Sequence, residues 1–294
     1  MQVQNNADLT SILKPWEQSW ALVALRQSSR ERTKGNLCCE TITSSASHRF
    51  GRFTCAVKRL HRVPRTDLDD LRRLIALEIN GWRQISHEPY ILTLLGVCTT
   101  IPTPIIVTEL CQTNIRRYVR DHPETLLPVV YQFAKGLVSI HNANLIHQNL
   151  KADNVLVTFQ KKVVIADFGE SLLAQDVSPD TQARGTLNWM SPEQYLNPQS
   201  MTTKTDIWSF GMTLREVLCN ETPYRNCMEH EFRDEIFCSK DDRPEKPDAL
   251  DPQLEPLWTL ITMCWQLNPE ARPSAVGIVA FLEMHFSAQV VETP

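Results

Sequence analysis

Glycine is scarce in this sequence. There are nine in 294 residues, about 3% and roughly half the usual share of about 7%. Glycine lets a backbone approach a ligand closely, so a chain this poor in it has little room for glycine-rich ligand loops. Neither sign of charge is in excess: 30 Lys and Arg stand against 34 Asp and Glu, a formal net charge of −4. That balance gives no global reason to expect nucleic acid or an anionic membrane as partner. The nine cysteines are an odd number, none forms a C-x-x-C, and Cys38-Cys39 is the only close pair. The pattern suits free thiols in a reducing compartment better than a disulfide framework. The opening MQVQNNADLT lacks a basic n-region and an apolar h-region, so no secretory leader is read and a cytoplasmic location is expected.

One uncharged run, from Pro89 to Thr108, has the length of a membrane span, but it contains Pro89, Pro102 and Pro104. Proline removes helical hydrogen bonds, so two short buried strands are expected and no span. With 42% apolar and 22% charged residues, the composition is that of a globular protein and excludes disordered, collagenous and coiled-coil chains. The length suits one large domain or two moderate ones.

Residues 1–16 read as a polar lead-in. From Trp20 to Leu60 the β-type residues lie in WALVAL and RFTCAVKRL, with SSRERTKG and TITSSASHRFG reading as loops. Asp67–Ile85 has apolar residues at 3–4 spacing and acidic residues in its first turn, which predicts a helix. ILTLLGVC and PIIVTEL are two further strands. Beyond Cys111 the texture turns helical. Pro128–His141 is amphipathic, NVLVTF and KVVIADF read as a hairpin, and almost everything from Ser191 onward reads as helix. A strand-rich front with one helix followed by a helical back implies two lobes joined near residues 109–114.

Four short elements fall in one order: CAVK (55–58), HQNLKADN (147–154), DFG (167–169) and SPE (191–193), with Glu78 on the intervening helix and DIWSFG at 206–211. Taken together this resembles the protein kinase family, whose signatures are a strand lysine, a catalytic loop, DFG and APE. The resemblance covers residues 20–285. NWMSPE, LLGVC and MCWQLNPEARPS are similar to the tyrosine-kinase-like branch of the serine/threonine kinases, and Lys151 and Thr186 match the serine/threonine pattern.

The resemblance implies an α+β, bilobal protein-kinase-like fold: a lead-in (1–16), an N-lobe (17–108), a hinge (109–114), a C-lobe (115–287) and a tail (288–294). It also implies ATP and Mg²⁺ as cofactors and a protein as partner or substrate. Lys58 would hold the α- and β-phosphates, and Glu78 would orient that lysine. Asn154 and Asp167 would supply oxygen ligands to Mg²⁺, a hard cation. Thr108 would stand at the back of the nucleotide pocket, with backbone groups of Glu109 and Cys111 on the adenine. Lys151 would neutralise the transferring phosphoryl group. His147, Phe168, Gly169, Glu193, Asp206 and Arg272 match positions with structural roles.

Three departures from that pattern bear on function. Where the family has His-Arg-Asp, this chain has His147-Gln148-Asn149. The aspartate takes the substrate hydroxyl's proton, and a carboxamide accepts a hydrogen bond but not a proton at neutral pH. Gln148 carries no charge with which to clasp a phosphate on the activation segment. In place of G-x-G-x-x-G, residues 17–57 contain only Gly35 and Gly51, and SSRERTKG stands there, read as a solvated turn in preference to a run whose Arg30, Arg32 and Lys34 contact phosphate. The expected function is an ATP-binding pseudokinase that signals by binding. The alternatives are a slow active serine/threonine kinase and a scaffold that no longer binds nucleotide.

Overall fold

The computed structural model describes residues 27–32, 37–42, 55–59, 76, 79–98, 105–228, 231–232, 237 and 243–290. The WALVAL segment, most of the helix expected before residue 79, Glu78 and the end of the tail lie outside them. The chain divides into two compact units, one running through His87 together with Leu92–Cys111, the other made of Glu88–Ile91 and everything from Gln112.

The first unit is built on a five-stranded antiparallel sheet. Its strands are β1 (Gln27–Arg32), β2 (Leu37–Ile42), β3 (Cys55–Arg59), β4 (Leu94–Cys98) and β5 (Ile105–Glu109), in the order β1-β2-β3-β5-β4. Alternation in CAVK and IIVTE makes the core. Cys55, Val57, Ile105 and Val107 are buried together, with Leu95 against them, and each aliphatic chain so buried contributes about 1.5–3 kcal/mol. Helical residues 79–85 belong to the same unit. Trp82 Nε1 donates to Leu92 O at 2.8 Å and Leu94 N donates to Ser86 Oγ at 2.7 Å.

The SSRERTKG run is not wholly the loop its polarity predicts. SSRER is strand β1 and not part of a turn. It pairs with β2 at the edge of the sheet. An edge strand is held by its backbone ladder on one side, so it needs no apolar periodicity and polar residues suit it. The β1–β2 connection is therefore only residues 33–36, which include Gly35 and lie outside the described residues.

The run read as two strands rather than a membrane span is β4 and β5, and no helix among the described residues is long and apolar enough to cross a membrane.

From Gln112 onward the second unit holds the rest of β6 (Cys111–Asn114), then α1 (Ile115–Asp121) and α2 (Leu126–Asn142). Asn114 caps α1 by accepting from Arg117 N. The apolar face of α2, with Val130, Phe133, Ala134, Leu137 and Ile140, is buried. The loop of residues 147–154 lies among β7 (Leu145–Ile146), the expected hairpin β8 (Val155–Thr158) and β9 (Val163–Ile165), and β10 (Leu172–Leu173). Strands β6, β8 and β9 form one sheet, β7 and β10 another. Helices α3 (Pro192–Leu196), α4 (Thr203–Cys219), α5 (Glu255–Cys264) and α6 (Ala275–Val290) follow among the described residues.

α4 is the axis of this unit. A capping box at Thr202 and Thr205 starts it, and Asn220 in the left-handed region ends it. Ile207, Trp208, Phe210, Met212 and Leu214 are all buried, as befits a helix enclosed on most sides. Phe210 meets Phe133 of α2 at 4.7 Å between ring centroids. Gly211 lets α5 come close, for a Cβ there would sit 2.7 Å from Cys264 Cβ.

Candidate functional site

In the first unit, pleating decides which residues share a face. Ala56 pairs with Thr108 and Lys58 with Ile106, so these four lie on the face opposite the Cys55–Val57 core. Lys58 is half-buried and Thr108 is buried. Ala56, 8% exposed, went unremarked in the sequence, although the C-A-V-K alternation places it beside Lys58 as the small side chain on that face. Thr108 Oγ1 donates to Glu109 O at 3.1 Å. The Glu109 carboxylate turns to Thr93, accepting from its backbone N at 3.0 Å and its hydroxyl at 2.9 Å. Cys111 is partly exposed at the start of β6. Glu78, expected to pair with Lys58, lies outside the described residues.

In the second unit the loop 147–154 hangs from Asp206. This carboxylate, fully buried near the start of α4, accepts from His147 N at 2.8 Å and Gln148 N at 2.9 Å, and lies 3.1 Å from His141 Nε2. A carboxylate taking several donors offsets its desolvation and holds the loop in one shape. Gln148 has φ 65° within that loop. His147 is enclosed completely. Its Nε2–H donates to Ala166 O at 3.0 Å, its Nδ1 accepts from Asn149 N at 3.3 Å, and its ring meets Phe168 edge-on at 5.0 Å. Gly169 follows Phe168 in a short 3-10 turn.

That bonding uses the neutral imidazole, and burial pushes the His147 pKa below its ordinary value, against the pull of the Asp206 charge. The unfolded chain gains a proton here below about pH 6.5, the folded chain only at lower pH. This contribution is therefore fully present above about pH 6.5 and lost as pH falls below it. Urea midpoints from pH 7.5 to 5.5 should decline, and less steeply in His147→Leu. Equal slopes in the two proteins would contradict the assignment.

Around Asn149 the loop meets the activation segment. Thr186 Oγ1 donates to Asn149 Oδ1 at 2.8 Å, and Lys151 Nζ donates to Thr186 Oγ1 at 2.9 Å. The sequence singled out Thr186, with Lys151, only as a match to the serine/threonine pattern. Its contact with Asn149 spans 37 residues and leaves no local signature. Asn154 Nδ2 donates to Asn149 O at 2.8 Å, and Asn154 O accepts from Ala166 N at 2.8 Å. Asp167 follows in the left-handed region, φ 64° and ψ 69°, a conformation that costs a non-glycine residue about 1–2 kcal/mol.

With Asn154 Nδ2 engaged, its Oδ1 and the Asp167 carboxylate are the oxygen donors, the kind of set a hard divalent cation takes alongside phosphate oxygens. Among the described residues no group of three or more His, Cys, Asp or Glu gathers in a way that could hold a metal.

Two buried supports complete the frame. Glu193 of α3 is held by Arg272, with Nη1 to Oε1 at 2.6 Å and Nη2 to Oε2 at 2.9 Å. Glu216 of α4, which the sequence reading passed over, accepts from Ala152 N at 3.0 Å and Trp189 Nε1 at 2.9 Å, with Arg116 Nη1 at 3.4 Å. Burial raises its carboxyl pKa, partly offset by those donors. A glutamate amid the apolar residues of α4 was the available signal.

Comparison with known proteins gives the chain a family and relatives. Residues 35–282 match the family model described as protein tyrosine and serine/threonine kinase. The chain is 32% identical over 253 residues to rat mitogen-activated protein kinase kinase kinase 12, covering 83% of this chain and 26% of that protein. It is 33% identical over 225 residues to the Dictyostelium discoideum dual specificity protein kinase shkD, covering 72% and 29%. It is 31% identical over 205 residues to the Arabidopsis thaliana serine/threonine/tyrosine-protein kinase HT1, covering 67% and 51%. The chain thus spans between a quarter and a half of the length of these relatives.

Proposed function

The chain belongs to the protein tyrosine and serine/threonine kinase family, and from that premise we propose that it is an ATP-binding pseudokinase, a signalling switch or scaffold with weak or no phosphoryl transfer. The observation that carries this reading is the carboxamide at the base position. Asn149 Oδ1 accepts a hydrogen bond from Thr186, so the acceptor geometry survives while the proton acceptor does not. Losing a positioned base costs about 10²–10⁴ in rate. The frame around it, Asp206 beneath the loop and Lys151 beside Thr186, supports retained ligand binding.

In this reading the Ala56–Thr108 face takes the adenine end of ATP, Lys58 takes the phosphates, and Asn154 and Asp167 take Mg²⁺. The metal, when bound, neutralises phosphate charge. Nucleotide and partner would then bias a conformational equilibrium in proportion to their preference for one state.

One observation favours the second reading, a slow serine/threonine kinase. Lys151 and Thr186 are organised about residue 149, and most catalysis in this class is positioning and electrostatics.

A thermal-shift titration tests the proposal. Saturating Mg-ATP, about 100 times Kd, stabilises the folded state by about 2.7 kcal/mol, a rise of several degrees for a chain of this size. Absence of both the shift and competition against a fluorescent nucleotide defeats the ATP-binding reading in favour of a nucleotide-free scaffold. Radiolabel transfer that is abolished by Lys58→Met and by Asp167→Ala establishes the active kinase instead.

A further inference from the structure

The activation segment, residues 167–193, is expected to lack a phosphate clasp, because Gln148 has no charge to offer. The structure nevertheless ties that segment to the catalytic loop. Gln194, in the first turn of α3 and fully buried, donates through Nε2 to Gln148 O at 2.8 Å and to Arg184 O. One carboxamide thus bridges the loop and the segment. The next residue, Gly185, has φ 113°, and a Cβ on it would sit 2.4 Å from Gln148 O, so only glycine permits this approach. The Oε1 atoms of both Gln148 and Gln194 are buried without a hydrogen-bond partner among the described residues, so the pair carries a polar cost. The Gln148 side chain makes no clasp, and its backbone carbonyl is what the latch seizes.

The latch stands on a rigid base. Gln194 N donates to Ser191 Oγ at 3.3 Å, and the preceding Glu193 is fixed to buried Arg272. The Arg184 guanidinium lies away in solvent, 3.6 Å from Glu170.

We infer that Gln194 is a built-in latch that holds the activation segment against the catalytic loop without phosphorylation. The position of the segment is then set constitutively by a neutral amide. This concerns the segment and not the nucleotide, so it stands or falls separately from the pseudokinase reading.

The Arg184 side chain is 60% exposed, which makes the bond after it a trypsin site gated by local opening. The experiment compares cleavage after Arg184, followed by mass spectrometry, in the full chain and in Gln194→Met, which keeps the length and loses the N–H donors. Loss of two hydrogen bonds should speed cleavage about tenfold, while amide exchange in α4 stays unchanged. Treating the wild-type chain with a phosphatase should leave its cleavage rate unaltered. Unchanged cleavage in Gln194→Met overturns the inference. So does a wild-type chain that opens on phosphatase treatment. Gly185→Ala, which drives a Cβ into Gln148 O, is the second variant should Gln194→Met fail to fold, with the same acceleration expected. If neither folds, the phosphatase comparison decides alone.

Discussion

Arg272→Ala should lower the unfolding free energy by roughly 3–5 kcal/mol, the usual cost of removing one partner of a buried ion pair. The Arg272 side chain is 0% exposed and that of Glu193 10%, so the pair has little water to fall back on. The guanidinium is used fully. It grips both Glu193 oxygens, donates to Lys204 O at 2.9 Å and Gln266 O at 2.8 Å, and lies 5.1 Å from the Trp208 ring centroid. Truncation strands the Glu193 carboxylate on Thr205 Oγ1 at 3.2 Å and takes this donor from three backbone carbonyls, Lys204 O, Gln266 O and Leu267 O. An exposed pair would be worth 0–1 kcal/mol, and burial makes the difference. Arg272→Lys should recover only part of the loss, because an ammonium cannot reproduce the planar fork. Urea unfolding measures both variants. A loss below about 1 kcal/mol for Arg272→Ala, with m unchanged, would mean that the pair is not the structural pin described.

Gln148→Arg combined with Asn149→Asp should raise phosphoryl transfer to a generic protein substrate by about 10²–10⁴, the range attributed to a positioned general base. Asp206 fixes the backbone at 147 and 148, and Asn149 Oδ1 stands as acceptor to Thr186 with Lys151 alongside. An aspartate of nearly the same shape inherits that place with the proton affinity asparagine lacks. Asn149→Asp alone should account for most of the gain. The arginine adds a phosphate clasp where Gln194 already holds the segment. Radiolabel incorporation, with Lys58→Met as control, reads the result. A folded but inactive double variant would sink the claim that the base is the principal lesion, and would direct attention to the short connection at residues 33–36.

Much of the fold was legible because its signals are local. The alternation of CAVK and IIVTE places the core of the first sheet on one face and Lys58 on the other, and the uncharged run divides at its prolines into β4 and β5. The SSRER segment was misread because an edge strand's identity comes from the partner that pairs with it, and Ser, Arg and Glu carry no β signal of their own. The candidate site was legible wherever a motif is contiguous: the order of CAVK, HQNLKADN, DFG and SPE, and the substitutions at 148 and 149.

By itself, then, the sequence determined the family, the register of its motifs and the carboxamide at Asn149. Those depend on residue type and spacing along the chain. Only the tertiary structure decided what surrounds that carboxamide: Thr186 upon Asn149, Glu216 beneath Ala152, and Gln194 spanning Arg184 and Gln148. These contacts join residues as far as 64 positions apart. A glutamine or a threonine acquires such a role only when folding removes water and leaves one particular carbonyl or amide within its reach.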